Sequence, residues 1–149
     1  MAVTIDIATA IRAALASTVG SLAPVYAMGV RTDVDGVVDA NATERKQKLP
    51  AVHVVMTERR PMFHASKLHS YPGTIRVVTS SHDDPFQVDL MTIAEPVAEW
   101  LLTPPALSLT PTEFDALTVE QDPDVGYSGD QDQFQFIEWA IIVHTRKAT

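Results

Sequence analysis

Between Phe134 and Val143 the chain reads Phe-Gln-Phe-Ile-Glu-Trp-Ala-Ile-Ile-Val, and no other stretch constrains the fold as much. On an extended backbone, successive side chains point to opposite faces. Ile137, Trp139, Ile141 and Val143 therefore share one face, and Phe134, Phe136, Ala140 and Ile142 share the other. A strand that is apolar on both faces belongs in the middle of a sheet, covered on both sides or lying at a subunit contact. The reading is a strand over Gln133 to Arg146.

The other elements are read around this strand. Ala116 to Gln121 gives a second strand that forms a hairpin with it, joined by a Gly- and Pro-containing acidic loop from Asp122 to Asp132. Pro50 to Thr57 is a strand with Val52, Val54 and Met56 on one face and His53, Val55 and Thr57 on the other. Tyr71 to Ser80 is the next, with Ile75 and Val77 opposed to Arg76 and Val78, and with Pro72 and Gly73 expected to mark a bend or edge near its start. Adjacency along the chain makes these two a hairpin. Pro24 to Met28 reads as a short strand, with Pro tolerable at its first position.

Two helices complete the set. The first is expected from Ile5 to Val19, with Thr4 as N-cap, Gly20 free to take positive φ at its end, and Ile7, Ile11, Ala14, Leu15 and Thr18 on the packed face. For the second, Asp84 is the expected N-cap and Pro85 the first helical residue, followed by Phe86, Leu90, Ile93, Val97 and Leu101 at helical spacing. Pro96 removes the bond to Thr92 and predicts a kink. Together these give an α+β domain spanning 1–149, a mostly antiparallel sheet of four to five strands packed by two helices. The segment Gly29 to Lys48 lacks apolar periodicity and reads as a long exposed loop or arm at about 29–49.

Length and composition fit one domain with one core: 149 residues, 46% hydrophobic and 20% charged. No apolar run is long enough to cross a bilayer, and the first residues lack the basic n-region of a secretory signal. With no Cys, disulfide scaffolds, thiolate metal sites and cysteine nucleophiles are excluded. The net charge of −8 disfavours general nucleic-acid binding. From Arg45 to Arg76 there are seven Lys or Arg against the single acid Glu58, whereas between Arg76 and Arg146 there are thirteen acids and no base. Such a split suits a head-to-tail contact in which a basic part of one copy meets the acidic part of the next, closing into a ring where the rotation permits. The candidate interface residues are Arg59, Arg60, Phe63, His64 and Lys67 on the basic side and Asp122, Asp124, Asp130 and Asp132 on the acidic side.

No motif for phosphate binding, nucleophilic catalysis or zinc hydrolysis is present, so no catalytic, metal or cofactor residues are expected. His82-Asp83-Asp84 has the composition of half a metal site, and with His64 and His69 it supports the alternative of a small metal-dependent hydrolase or ligand-binding module. Asp84 and Asp83, however, suit a helix N-terminus. Asp33-Val34-Asp35-Gly36 resembles the start of a calcium loop, with Glu44 eleven residues on, but Val37 stands where a side-chain ligand is needed. The pairs Asp122/Asp124 and Asp130/Asp132 read as solvated turn carboxylates, and Trp100 and Trp139 as core.

The order and content of these segments ("IATAIRAALAST", "PVYAMGV", "LPAVHVVMTERRP", "YPGTIRVVTSSH", "DDPFQVDLMTIAEPVAEWL" and "FQFIEWAIIVH") resemble the tail terminator, or tail completion, proteins of long-tailed phages over nearly the whole chain. The resemblance implies a non-enzymatic subunit of a hexameric ring. That ring caps the tail tube and joins it to the head-side connector, located in the virion at the head-proximal end of the tail and assembled in the host cytoplasm. Its partners would be copies of itself, the tail tube protein and a head-side connector or neck protein, with DNA only as passing cargo and no membrane or cofactor. A head–tail connector is the alternative structural role. The long arm would reach a neighbour and acidic loops would line the channel, although the basic Arg45 to Lys67 region is an alternative surface for DNA.

Overall fold

The computed structural model describes residues 2–28, 49–56, 60–61, 68–109, 112–128 and 133–147. Along the chain these form α1 (Ala2–Val19), β1 (Val25–Met28), β2 (Ala51–Met56), β3 (Arg60–Pro61), β4 (Leu68–Ser80), α2 (Val88–Leu102), β5 (Thr112–Val119), β6 (Asp124–Ser128) and β7 (Phe134–Lys147). The class is α+β, as expected. The sheet has seven strand segments among the described residues, rather than four or five, but they fall into five rows. β2 and β3 lie end to end along one side of β4, and β5 and β6 lie end to end along the far side of β7. All pairings are antiparallel except that of β1 with β2. The arm expected at about 29–49 falls almost wholly outside the described residues.

β7 occupies the interior, paired along its length with β4 and on its other side with β5 and β6. Its alternation resolves as the sequence implies. Ile137, Trp139, Ile141 and Val143 are buried beneath the helices with Val52, Val54, Met56, Ile75 and Val77. α1 contributes Ile7, Ala8, Ile11, Leu15 and Val19 to this core, and α2 contributes Leu90, Ile93, Ala94, Val97, Trp100 and Leu101. Thr18, expected inward, is exposed and donates its hydroxyl to the Ala14 carbonyl instead. Its place on the packed face is taken by Val19. No helix among the described residues is long and apolar enough to cross a membrane.

Several local expectations are corrected. Thr4 lies inside α1, which begins at Ala2. Gly20 does not adopt positive φ; its N–H continues the helical pattern to Ala16 O at 3.0 Å, and a Cβ would sit 2.4 Å from that oxygen. The residue is needed for close approach, not for a left-handed turn. Pro72 and Gly73 stand inside β4, which starts earlier, at Leu68. β2 pairs with β4 only as far as Gly73, and β3 begins at Ser70, so Pro72 faces the break between them, where a missing N–H is tolerated. A Cβ on Gly73 would lie 2.6 Å from Val55 O, so β2 can approach only a glycine there.

The start of α2 differs most. Val88 is its first residue and Gln87 its N-cap, held in the left-handed region at φ 58°, ψ 28° with no side-chain cap of its own. Pro85 and Phe86 form a turn closed by the Gln87 N–H on Asp84 O at 3.1 Å, and Phe86 is 87% exposed instead of packed. Asp84 nonetheless caps the helix from three residues further back. Its carboxylate accepts the N–H groups of Asp89 at 3.1 Å and Leu90 at 3.0 Å. α2 continues through Pro96.

Candidate functional site

A sheet with both helices on one side leaves a second face, and β7 was expected to be apolar there too. The strand registers place Tyr26, His53, Arg76, Glu138 and Asp124 in a single row across the five strands on that face. Around the row lie Val55, Phe134, Phe136, Ala140 and Ile142, all half-buried, and Val78, which is buried. Among the described residues no helix packs on this side.

The middle of the row is an ion pair. Arg76 Nη2 donates to Glu138 Oε2 at 2.8 Å, and the guanidinium lies over the Phe136 ring, 4.2 Å from its centroid. The pair is partly screened, with side chains 34% and 22% exposed, which places it between a surface bridge and a desolvated one. A planar guanidinium that pairs at its tip and stacks along its face is held in one orientation. Next to it, the His53 ring lies 6.0 Å from Tyr26, centroid to centroid. Its Nε2 is buried and has no hydrogen-bond partner among the described residues. Burial, with the charge of Arg76 adding to it, holds His53 below the ordinary imidazole value of 6.5. The ring is therefore neutral at pH 7, and the row carries one cation and two carboxylates.

A second polar cluster lies in the core, where β4 ends and α2 begins. Gln135 Nε2 donates to Thr79 Oγ1 at 2.9 Å, to Asp84 O at 2.6 Å and to Asp84 Oδ2 at 3.3 Å, and all three residues are buried. Burial pushes the Asp84 carboxyl up. The Leu90 and Asp89 N–H groups, the Thr79 hydroxyl and the Val88 N–H outweigh it and hold the group below its ordinary value of 3.8. These bonds join the end of β4, the start of β7 and the start of α2, and they fix the turn before the helix.

Of the residues expected at an interface, Arg59, Phe63, His64, Lys67, Asp130 and Asp132 lie outside the described residues. Arg60 is in β3, opposite Ser70. Asp122 is exposed just ahead of β6, and Asp124 opens β6, so the expected acidic loop is partly a strand. Arg60 and Asp124 stand on opposite edges of the sheet, since β3 flanks β4 on one side and β6 flanks β7 on the other. His82 and Asp83 are exposed in the turn before Asp84, and His69 is within β4 opposite Thr145. Among the described residues no three His, Cys, Asp or Glu side chains come together as metal ligands. Trp100 and Trp139 are core residues. The Arg76–Glu138 pair and the Gln135 network were missed; the signal available was one polar residue in each of the apolar runs "IRVV", "FIEWA" and "FQF".

No protein-family model matches the sequence, and no curated protein matches it. Among solved structures, a chain described as "Virion of native gene transfer agent (GTA) particle" is similar, with a TM-score of 0.55 and 14% identity, over 96% of this chain and 95% of that one. At this identity the likeness is one of fold, and it extends over both chains almost from end to end.

Proposed function

We propose that the chain is a structural, non-enzymatic subunit of a phage-type virion, and within it a tail terminator. Copies would form a hexameric ring that caps the tail tube and meets the head-side connector. The observation that carries this reading is the fold likeness to a chain of a gene transfer agent virion, over 96% of this chain and 95% of that one. The placement of charge supports the ring. Arg60, in the basic stretch, and Asp124, in the acidic one, lie on opposite edges of one sheet, so only different copies can bring those edges together. A half-buried apolar sheet face with an oriented ion pair at its centre is the composition of a surface built for contact. The virion is the location, assembly takes place in the host cytoplasm, and DNA passes as cargo.

The test is capping. The purified chain is mixed with polymerised tail tube protein and, separately, with the isolated head-side portal or neck assembly, and both are viewed by electron microscopy. Rings at tube ends, with tube growth arrested, are the expected result. Binding to the portal side alone would replace this reading with that of a connector, and binding to neither would refute both.

A further inference from the structure

Among the described residues the edges of the sheet are β1, β3, β5 and β6, and they are not alike. An open edge invites pairing, and folded chains usually blunt it. In β1, Val52 N–H bonds to Pro24 O, so the next carbonyl, that of Val25, points outward, and Arg12 Nε donates to it at 3.1 Å. In β3, the pairing of Arg60 with Ser70 turns the nitrogen of Pro61 outward, where it has no hydrogen to offer. β5 carries a bulge between Phe114 and Ala116. β6, Asp-Val-Gly-Tyr-Ser, has no Pro, no Lys or Arg and no shift of register. Which of its backbone groups face outward follows from its neighbours. Glu120 N–H bonds to Ala140 O at 2.9 Å, so the even-numbered residues of β7 turn their backbone groups toward β5 and β6. Asp124, Gly126 and Ser128 stand opposite Glu138, Phe136 and Phe134 and use their own groups inward. The N–H and C=O of Val125 and Tyr127 therefore point away from the sheet, and the side chains of the same two residues are 61% and 56% exposed.

We propose that the β6 edge accepts an added antiparallel strand from a partner protein, with apolar side chains opposite Val125 and Tyr127 and a Lys or Arg opposite Asp124. The backbone groups of Val125 and Tyr127 hold the strand, and the alternation of its side chains selects it. Charge argues for the cation. Asp124 stands directly opposite Glu138, an unfavourable like-charge pair, and Glu138 is already taken by Arg76 on its other side. No Lys or Arg occurs between Arg76 and Arg146. The row across the sheet thus runs cation, carboxylate, carboxylate, and a cation on the next strand restores the alternation. On the outer side Asp124 occupies a non-hydrogen-bonded position, where side chains of facing strands come closest. β6 itself is well seated: the Phe136 ring lies against Gly126, close enough that a Cβ there would sit 3.1 Å from it. The described edges of another copy cannot be the added strand, since each is blunted or is β6 again. The inference stands apart from the ring reading. An added strand and the Arg60 edge of another copy would both draw on Asp124, and so would exclude each other.

The test is amide exchange of the full isotope-labelled chain, followed by NMR, with the blocked peptide Thr-Val-Thr-Val-Arg-Thr as probe. Without peptide, the Val125 and Tyr127 amides should exchange quickly and that of Gly126 slowly. Near-saturating peptide should slow Val125 and Tyr127 by about tenfold and leave Gly126 as it was. Methylating the backbone nitrogens of both peptide valines should abolish binding to the unaltered protein. Replacing the peptide Arg by Glu, or Asp124→Asn in the protein, should weaken it by about threefold. Val125→Pro removes an outward donor and no bond to β7, and should weaken it by about tenfold or more. Equal binding of the methylated peptide, no preference for Arg over Glu, slowing of other amides in place of Val125 and Tyr127, or no binding at several millimolar peptide would each overturn the inference. None of these results bears on whether rings cap tubes, so the proposed function stands or falls separately.

Discussion

Replacing Asp84 by Ala tests how the turn before α2 is held. The substitution removes an acceptor shared by two helical N–H groups and the Gln135 amide. Loss of a capping side chain costs about 1–2 kcal/mol. Stripping one partner from a buried amide adds about 1–2 kcal/mol, although Gln135 keeps Thr79 Oγ1 and Asp84 O as acceptors. A loss of about 2–4 kcal/mol follows, or roughly 6–12 °C of melting temperature for a chain of this size. Urea unfolding followed by tryptophan fluorescence reads it directly, since Trp100 and Trp139 both lie in the core. Because the folded carboxyl sits below 3.8, the unfolded chain takes up its proton first as the medium is acidified. The Asp84 contribution is therefore complete above that value and disappears as pH falls through the folded one. The gap between parent and variant should shrink accordingly in acid. A variant within about 0.5 kcal/mol of the parent at pH 7, or a gap that does not depend on pH, would refute the assignment of Asp84 as the remote cap.

Gly73→Ala should destabilise by about 1–3 kcal/mol in the same assay, because the new methyl meets the Val55 carbonyl, which can yield only if β2 moves. Arg76→Ala and Glu138→Gln, combined in a double-mutant cycle, should show coupling of about 0.5–1.5 kcal/mol, reduced by salt, and additivity would mean the pair contributes nothing. His53 is held below 6.5, so the unfolded chain protonates first and stability should decline as pH falls below that value, by at most about 1.4 kcal/mol per unit; His53→Phe should flatten this slope between pH 6.5 and 5. Reversing Arg59 and Arg60 to Glu should impair assembly of the proposed ring and increase its sensitivity to salt, and unchanged assembly would exclude the complementary-edge contact.

The sheet was legible in the sequence wherever a strand had a period of two and a buried face. The inward set Ile137, Trp139, Ile141 and Val143 and the set Val52, Val54 and Met56 needed no tertiary information. β6 was not legible: Asp124, Val125, Gly126 and Tyr127 are exposed or only half-buried, and they form a strand because β7 offers them a free edge. The start of α2 misled because Asp84 and Pro85 obey the local rule for a helix N-terminus, yet the carboxylate reaches residues five and six positions on. A cap acting over that distance depends on Gln135, far away in sequence. The sheet face opposite the helices was half legible. Its apolar positions follow from alternation, while the Arg76–Glu138 row depends on the register between strands 62 residues apart.

The position of β7 in the chain also bears on how the protein is made. It is the last of the strands, and it supplies the neighbour for β4, β5 and β6 alike. On the ribosome, β4 must therefore wait with one flank bare until residue 134 and those after it emerge, and β5 and β6 have nothing to pair with before then. A nascent or truncated product lacking this segment would expose unpaired strand edges, so it would be prone to aggregate.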